Sequence, residues 1–273
     1  MKILHLETSS KNCSVAISDG EELLCLCEEI SENYKQSESL HTFVQWALEG
    51  AEIALKDLDA ISLGKGPGSY TGLRIGAASA KGFCFGLDLP LIAVESLETM
   101  IETSLNKGYD YIIPLIDARR MEVYTASFDG SSGKRITETE AMILEENSFQ
   151  NYADKKVIFV GDGAKKAKEI LQLKNAHFDE SIYPSAKFLI KKSAEKYASV
   201  WTKEGSPLLA HAQKQTTLLR GFLGQKIKSP FAVELGMSYG NPSMASAIEK
   251  LKAQHCDRIL VFPLYPQYAA SST

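Results

Sequence analysis

One stretch constrains this chain more than any other: residues 61–86, ISLGKGPGSYTGLRIGAASAKGFCFG. The run Ala60-Ile61-Ser62-Leu63 reads as the end of a buried strand, and residues 64–72 are too rich in glycine for a helix or a strand. Leu73, Ile75, Ala77, Ala78, Ala80 and Gly82 then form a small, apolar helical face. In a strand, glycine loop and helix of this kind, the loop amides and the helix N-terminus can meet an anion or a partner backbone. Small side chains also let a neighbouring helix approach closely. The plainer reading is a tight turn before a core helix. The spacing is neither GxxxxGK[ST] nor GxGxxG, so neither standard phosphate loop is matched.

A length of 273 residues suggests about one to two domains, and 44% hydrophobic residues suffice for an ordinary core. The net charge of -4 excludes a chain that is basic throughout, while leaving room for a local basic patch. There is no apolar run of about 18 residues to span a membrane, and MKILHLETSS passes straight into a strand pattern unlike a signal peptide. The odd set Cys13, Cys25, Cys27, Cys84 and Cys256 reads as reduced and cytoplasmic. Cys25 and Cys27 read as one face of a strand rather than a metal site.

In chain order, residues 2–6, 13–18 and 21–30 read as three antiparallel strands, with Asp19-Gly20 as a hairpin signal and a polar turn at residues 7–12. Residues 39–55 have a helical period, with His41 near the start. Residues 89–94 read as a buried strand, and Ser96 as the cap of a helix. IIPLIDARRMEVYTASFD then repeats the opening logic of strand, acidic turn and strand. Residues 156–160 form another strand before Gly161-Asp162-Gly163-Ala164 and a helix whose Lys165, Lys166 and Lys168 read as a solvated face.

GPGSYTGLRIGAASAKGFCFGLDLPLIAVESLE, ILHLETSSKNCSVAI and DARRMEVY resemble the bacterial TsaB family. The resemblance implies a non-catalytic partner of the enzyme that places threonylcarbamoyl on the tRNA adenosine next to the anticodon. It also implies a two-lobed α/β body of the actin-like (sugar kinase/Hsp70-like) superfamily, with lobes at about residues 1–95 and 96–190. That superfamily holds metal and phosphate with an Asp in its first turn, where this chain carries Glu7. A carboxylate capping the turn's own amides is the favoured reading of Glu7. The catalytic relatives hold metal with two histidines at helical spacing, and His5, His41, His177, His211 and His255 contain no HxxxH pair.

From about residue 191 the resemblance changes. KYASVWTKEGSPLLAHAQKQ, MSYGNPS and PLYPQY are similar to the N-terminal half of ferrochelatase, which inserts iron into protoporphyrin. Residues 232–238 and 258–264 read as parallel strands around a helix at 244–254 with Ser243 as its N-cap, a partial Rossmann-like βαβ unit. The family's catalytic His, in a Ser-Tyr-His-Gly segment, is expected beyond Thr273. His211 and His255, both expected on helices, do not match its loop position. The chain thus reads as a join of domains 1–190 and 191–273. A natural fusion, a gene assembly error and an engineered chimera would all give such a sequence.

The expected role is a scaffold subunit that pairs with the catalytic threonylcarbamoyltransferase subunit and an ATPase subunit, reaches tRNA through the complex, and could also form a homodimer. ATP and metal are expected on the partners and not on this chain. The candidate partner interface is Gly68, Ser69, Tyr70, Thr71, Gly72, Arg74, Gly76, Ala77, Ala80 and Gly82. A vestigial phosphate or nucleotide site would comprise Glu7, Thr8, Ser9, Asp117, Arg119, Arg120, Gly161 and Gly163. The rival readings are iron insertion by the tail, and an actin-like phosphotransferase using Glu7 and Asp117, or a peptidase.

Overall fold

The computed structural model describes residues 1–31, 36–200, 207–237 and 242–263, with backbone only at 36–38, 200, 207 and 208. The chain forms two compact units, Met1–Ser199 and Val200–Thr273.

The first unit is a mixed α/β body built on two sheets. β1 (Lys2–Glu7), β2 (Asn12–Asp19) and β3 (Glu22–Ile30) form an antiparallel meander. α1 (Gln36–Gly50) leads to β4 (Ala60–Gly64), α2 (Tyr70–Leu87) and β5 (Leu91–Val94), and β4 and β5 add in parallel beyond β1. The resulting order is β3-β2-β1-β4-β5. α3 (Ser96–Met100) leads into the second sheet.

That sheet repeats the plan. β6 (Tyr111–Asp117) pairs antiparallel with β7 (Glu122–Thr125) and with the short β8 (Phe128–Asp129), and β9 (Glu140–Ile143) pairs antiparallel with β7. β10 (Val157–Val160) and, after α4 (Ala164–Ile170), β11 (Ala176–Asp179) add in parallel beyond β6. The order β9-β7-β6-β10-β11 matches the first sheet strand for strand. The repetition expected from the two acidic turns is therefore a repetition of topology.

The central strands β1, β4 and β10 are buried on both faces, as strands covered by helices must be. Leu4, Leu6, Val15 and Ile17 pack with Leu40, Phe43 and Val44 of α1 and Ala80 of α2. In the second sheet Ile113, Leu115 and Phe159 pack with Phe149, Tyr152, Ala164 and Ala167. Each such large side chain contributes about 1.5–3 kcal/mol when fully buried.

α5 (Leu189–Val200) begins within this body. Leu189 is fully buried with Ile3, Ala60 and Val94, and the Ser193 and Ser62 hydroxyls lie 2.6 Å apart. Lys192 pairs with Glu98 at 3.3 Å, and Lys196 donates to the Ala93 carbonyl at 2.7 Å. The helix therefore crosses the join expected near residue 190 and is held by the body's first sheet.

The second unit contains α6 (Pro207–Lys226) and α7 (Met244–Ala253). Ser243 caps α7 by accepting from the Ser246 amide at 3.1 Å, as expected. The two expected strands are not formed. Residues 232–236 and 258–263 have no strand, and Met237 makes one isolated bridge to Ser243; Ser238 and Leu264 lie outside the described residues. A parallel strand needs paired neighbours and covered faces, and apolar content alone supplies neither. His255 also departs from expectation, following α7 with a φ of 58° instead of lying on it. Among the described residues no helix is long and apolar enough to cross a membrane.

Candidate functional site

The glycine loop meets the chain's own first turn. The Ser69 amide donates to the Ser9 carbonyl at 2.6 Å, and the Thr8 hydroxyl donates to the Gly72 carbonyl at 2.9 Å. A Cβ at Gly68 would overlap the Ser9 carbonyl, one at Gly72 the Thr8 carbonyl, and one at Gly76 the Thr8 hydroxyl. Gly68 also has a φ of 153°, which L residues rarely adopt. The buried stripe Gly72, Gly76 and Ala80 thus lets α2 lie against the turn between β1 and β2. Ser69 caps the helix, accepting from the Gly72 amide at 3.3 Å.

Glu7 sits fully buried at the head of that turn. It accepts the Ser9 amide and the Ser96 hydroxyl, each at 2.8 Å, and burial pushes its carboxyl above the usual carboxylate range. A Cβ at Gly64 would overlap this carboxyl, so the glycine at the end of β4 makes room for it. The capping reading of Glu7 fits this geometry. Ser96 does not cap α3 with its side chain: its hydroxyl turns back to Glu7. Thr8 and Ser9 are also fully buried, and the Ser9 Oγ has no partner among the described residues.

The other predicted phosphate-site residues gather in the second sheet. The Asp117 amide donates to Asp162 Oδ1 at 2.9 Å, and the Arg119 amide donates to Asp117 Oδ1 at 2.6 Å. Lys166 braces the turn between β6 and β7. Its Nζ donates to Asp117 Oδ1 at 2.8 Å, to the Arg120 carbonyl at 3.0 Å and to the Glu122 carbonyl at 2.6 Å. Lys166 is therefore a bracing residue and not part of a solvated face, its side chain being 14% exposed. Arg119 and Arg120 are exposed and follow each other at φ 71° and 48°. A Cβ at Gly161 would overlap the Leu115 carbonyl, and the Gly163 amide donates to that same carbonyl at 3.0 Å. Burial raises the Asp162 carboxyl, and the charge of Lys11 in the first turn opposes that shift.

These residues do not fit a metal-bound nucleotide held by an acid of the first turn. The acidic residue of the first turn is enclosed, both of its oxygens are taken by protein donors, and the glycine loop is closed on Ser9.

α2 presents a different face to solvent. Tyr70 is 68% exposed and Phe85 80% exposed, with Thr71, Arg74, Ala78, Lys81 and Gly82 exposed between them. The Arg74 guanidinium lies over the Tyr70 ring, 4.3 Å from its centroid. No atom lies within 4 Å of a Cβ built at Gly82 or at Gly86. Ala77 is half-buried and packs on the first core. Of the predicted interface residues, Tyr70, Thr71, Arg74 and Gly82 thus look outward, whereas Gly72, Gly76 and Ala80 are used inside the body. Beside this face, His41 of α1 lies 3.4 Å from the Ser79 hydroxyl. Sequence reasoning missed Phe85, and it read Ser96 as a helix cap instead of a partner of Glu7. The available signal for Phe85 was its place about three turns after Arg74 and four after Tyr70, on the same helix face.

Two like sheets and a glycine loop closed on the first turn define a duplicated α/β body. The chain belongs to the family of TsaD, tRNA N6-adenosine threonylcarbamoyltransferase, whose model matches residues 30–220. Two solved structures from Pseudomonas aeruginosa are similar. One is an uncharacterized protein with similarity to the peptidase YeaZ, 26% identical, with a TM-score of 0.64 over 75% of this chain and 94% of that one. The other is YeaZ itself, 25% identical, with a TM-score of 0.61 over the same shares.

The ferrochelatase model matches residues 168–273. The ferrochelatase of Methylobacillus flagellatus is 64% identical over 83 residues, which are 30% of this chain and 24% of that protein. The one from Chromobacterium violaceum is 57% identical over 83 residues, 30% of this chain and 23% of that protein. The chain thus spans about a quarter of the length of these curated relatives.

Proposed function

We propose that the body is a TsaB-like, actin-like scaffold subunit that pairs with a catalytic threonylcarbamoyltransferase subunit and works with an ATPase subunit on tRNA. The observation that carries this reading is the outward face of α2, with Tyr70, Arg74 and Phe85 exposed on a body similar to YeaZ. Exposed aromatic and arginine side chains on a rigid helix are the usual anchors of a protein interface. In this reading ATP and catalytic metal belong to the partner subunits, tRNA is reached through the complex, and the same face also serves a homodimer. Five free cysteines support a cytoplasmic location.

The phosphotransferase reading loses one of its two acids, because Glu7 is enclosed and already accepts two hydrogen bonds, while Asp117 is paired with Lys166. The lack of an HxxxH pair in the sequence argues against the metal-dependent versions of it and of the peptidase reading. Iron insertion would rest on a matched segment of about a quarter of a ferrochelatase.

The test is co-purification with the catalytic subunit. Phe85→Glu and Arg74→Glu change exposed side chains and should leave the circular dichroism unchanged while weakening the complex at least about tenfold. A substitution such as Ala80→Trp would not serve, since Ala80 is fully buried in the body's own core. Unchanged binding in both variants would move the interface away from α2.

A further inference from the structure

β3 and α1 border a groove that the body itself leaves open. β3 ends the first sheet, so the backbone groups it turns away from β2 have no strand to pair with among the described residues. Cys25 and Cys27 of β3 pack on the first core, which includes Phe43 of α1, and strand alternation places Glu29 on that same face. Trp46 is 53% exposed, its ring centroid 5.7 Å from that of Phe43. The groove between the two elements is about 580 Å³ and is lined by Cys27, Phe43, Trp46 and Glu29, with Ser39 and Thr42 beside them.

Charge selects the occupant. Residues 12–34 and 36–55, which include β3 and α1, contain no lysine or arginine. Glu28 alternates to the opposite face of the sheet, where it accepts the Ser185 hydroxyl at 2.6 Å and pairs with Lys187 at 3.4 Å. The carboxylate on the groove's face is therefore that of Glu29. An aromatic face beside a carboxylate suits a guanidinium, which stacks on the ring and pairs with the acid. The phosphates of a nucleic acid would be repelled. A second copy of this chain would set Glu22, Glu28 and Glu29 of one strand against the same acids of the other, the device by which edge strands stay apart.

We propose that the β3 edge and its groove dock an extended, basic segment of a partner protein, which adds to the first sheet as a strand and places an arginine between Trp46 and Glu29. Main-chain pairing along β3 supplies affinity, and the groove, reading alternate side chains, supplies specificity. No residue of this surface belongs to the outward face of α2, and the inference does not rest on the scaffold reading.

The experiment uses the full-length chain and a fluorescently labelled peptide that alternates arginine and valine, read by anisotropy. The expected result is saturable binding that weakens as salt is raised, with amide exchange slowed at Glu22–Ile30. Trp46→Ala and Glu29→Gln, both at exposed positions, should weaken binding at least about tenfold with unchanged circular dichroism. Glu29→Lys should reject this peptide and accept one that alternates glutamate and valine. The proposal is overturned if the arginine peptide does not bind, or if the Trp46→Ala and Glu29→Lys chains bind it as well as the parent. It is also overturned if spermidine displaces the peptide and the β3 amides stay unprotected, because the occupant is then a free polyamine. A dimer of the chain alone that Trp46→Ala makes monomeric in light scattering overturns it as well, because the occupant is then a second copy.

Discussion

His5 and Glu7 lie two residues apart on β1, both fully buried, and their protonation equilibria act on the fold in opposite directions. His5 Nε2 sits 2.8 Å from the Ser18 hydroxyl, its Nδ1 has no partner among the described residues, and burial holds the imidazole down at about 3 from 6.5. Between those values the unfolded chain binds a proton that the folded chain refuses, so stability falls as pH drops through the window. Glu7 is raised, so its contribution grows as pH drops and must be separated from that of His5. The comparison of parent with His5→Gln does so. From pH 7 to pH 5 the parent should lose roughly 2 kcal/mol more than the variant, at about 1.36 kcal/mol per unit. Urea unfolding at the two pH values measures it, and equal losses would show that the imidazole titrates normally. The sequence showed the polar turn and the capping role of Glu7. Its closure by Ser96 was not legible, because Ser96 stands far along the chain and reads locally as a helix cap.

At the scale of the element, α2 shows what a small-residue helix can and cannot reveal. Its helical character was legible from the small apolar set Leu73, Ile75, Ala77, Ala78, Ala80 and Gly82, whereas its cap at Ser69 was read only as part of the glycine loop. Which face points inward was not legible, because glycine and alanine occur all round the helix and hydrophobicity does not separate the faces. The packing against Thr8 makes the difference. Gly72 and Gly82 should therefore respond to the same substitution with opposite signs. Gly72→Ala forces a Cβ into the Thr8 carbonyl and should cost about 1–3 kcal/mol. Gly82→Ala enters open space on an exposed helix face and should gain about 0.5–1 kcal/mol. Thermal unfolding of the two variants checks this, and two effects of the same sign would put the inward face elsewhere. Lys166 follows the same logic: a lysine-rich helix looks solvated until the turn between β6 and β7 is seen to fold over it.

For the whole molecule, the duplicated sheet order was legible because each half opens with strand, acidic turn and strand. The second unit was legible as a resemblance but not as a structure: strands need neighbours, and periodicity cannot report whether the neighbours exist. The stability of the two units should differ accordingly. The body encloses large side chains on both sheets, whereas the described part of the second unit encloses two alanines. A small unit without a core opens at little cost and is cut from the open state. Limited trypsin digestion should therefore remove the second unit and leave the body. Lys191 and Lys192 stand where the two resemblances meet, yet they should resist cleavage. They lie on α5 between the buried Ile190 and Ser193, with Lys192 paired to Glu98. The stable fragment should accordingly retain α5 and end beyond Ser199. Mass spectrometry of the fragment decides the point. A fragment ending at residue 192 would mean that α5 is held less firmly than its contacts indicate. Protection of residues 210–263 equal to that of the body would mean that the second unit is not the weaker one.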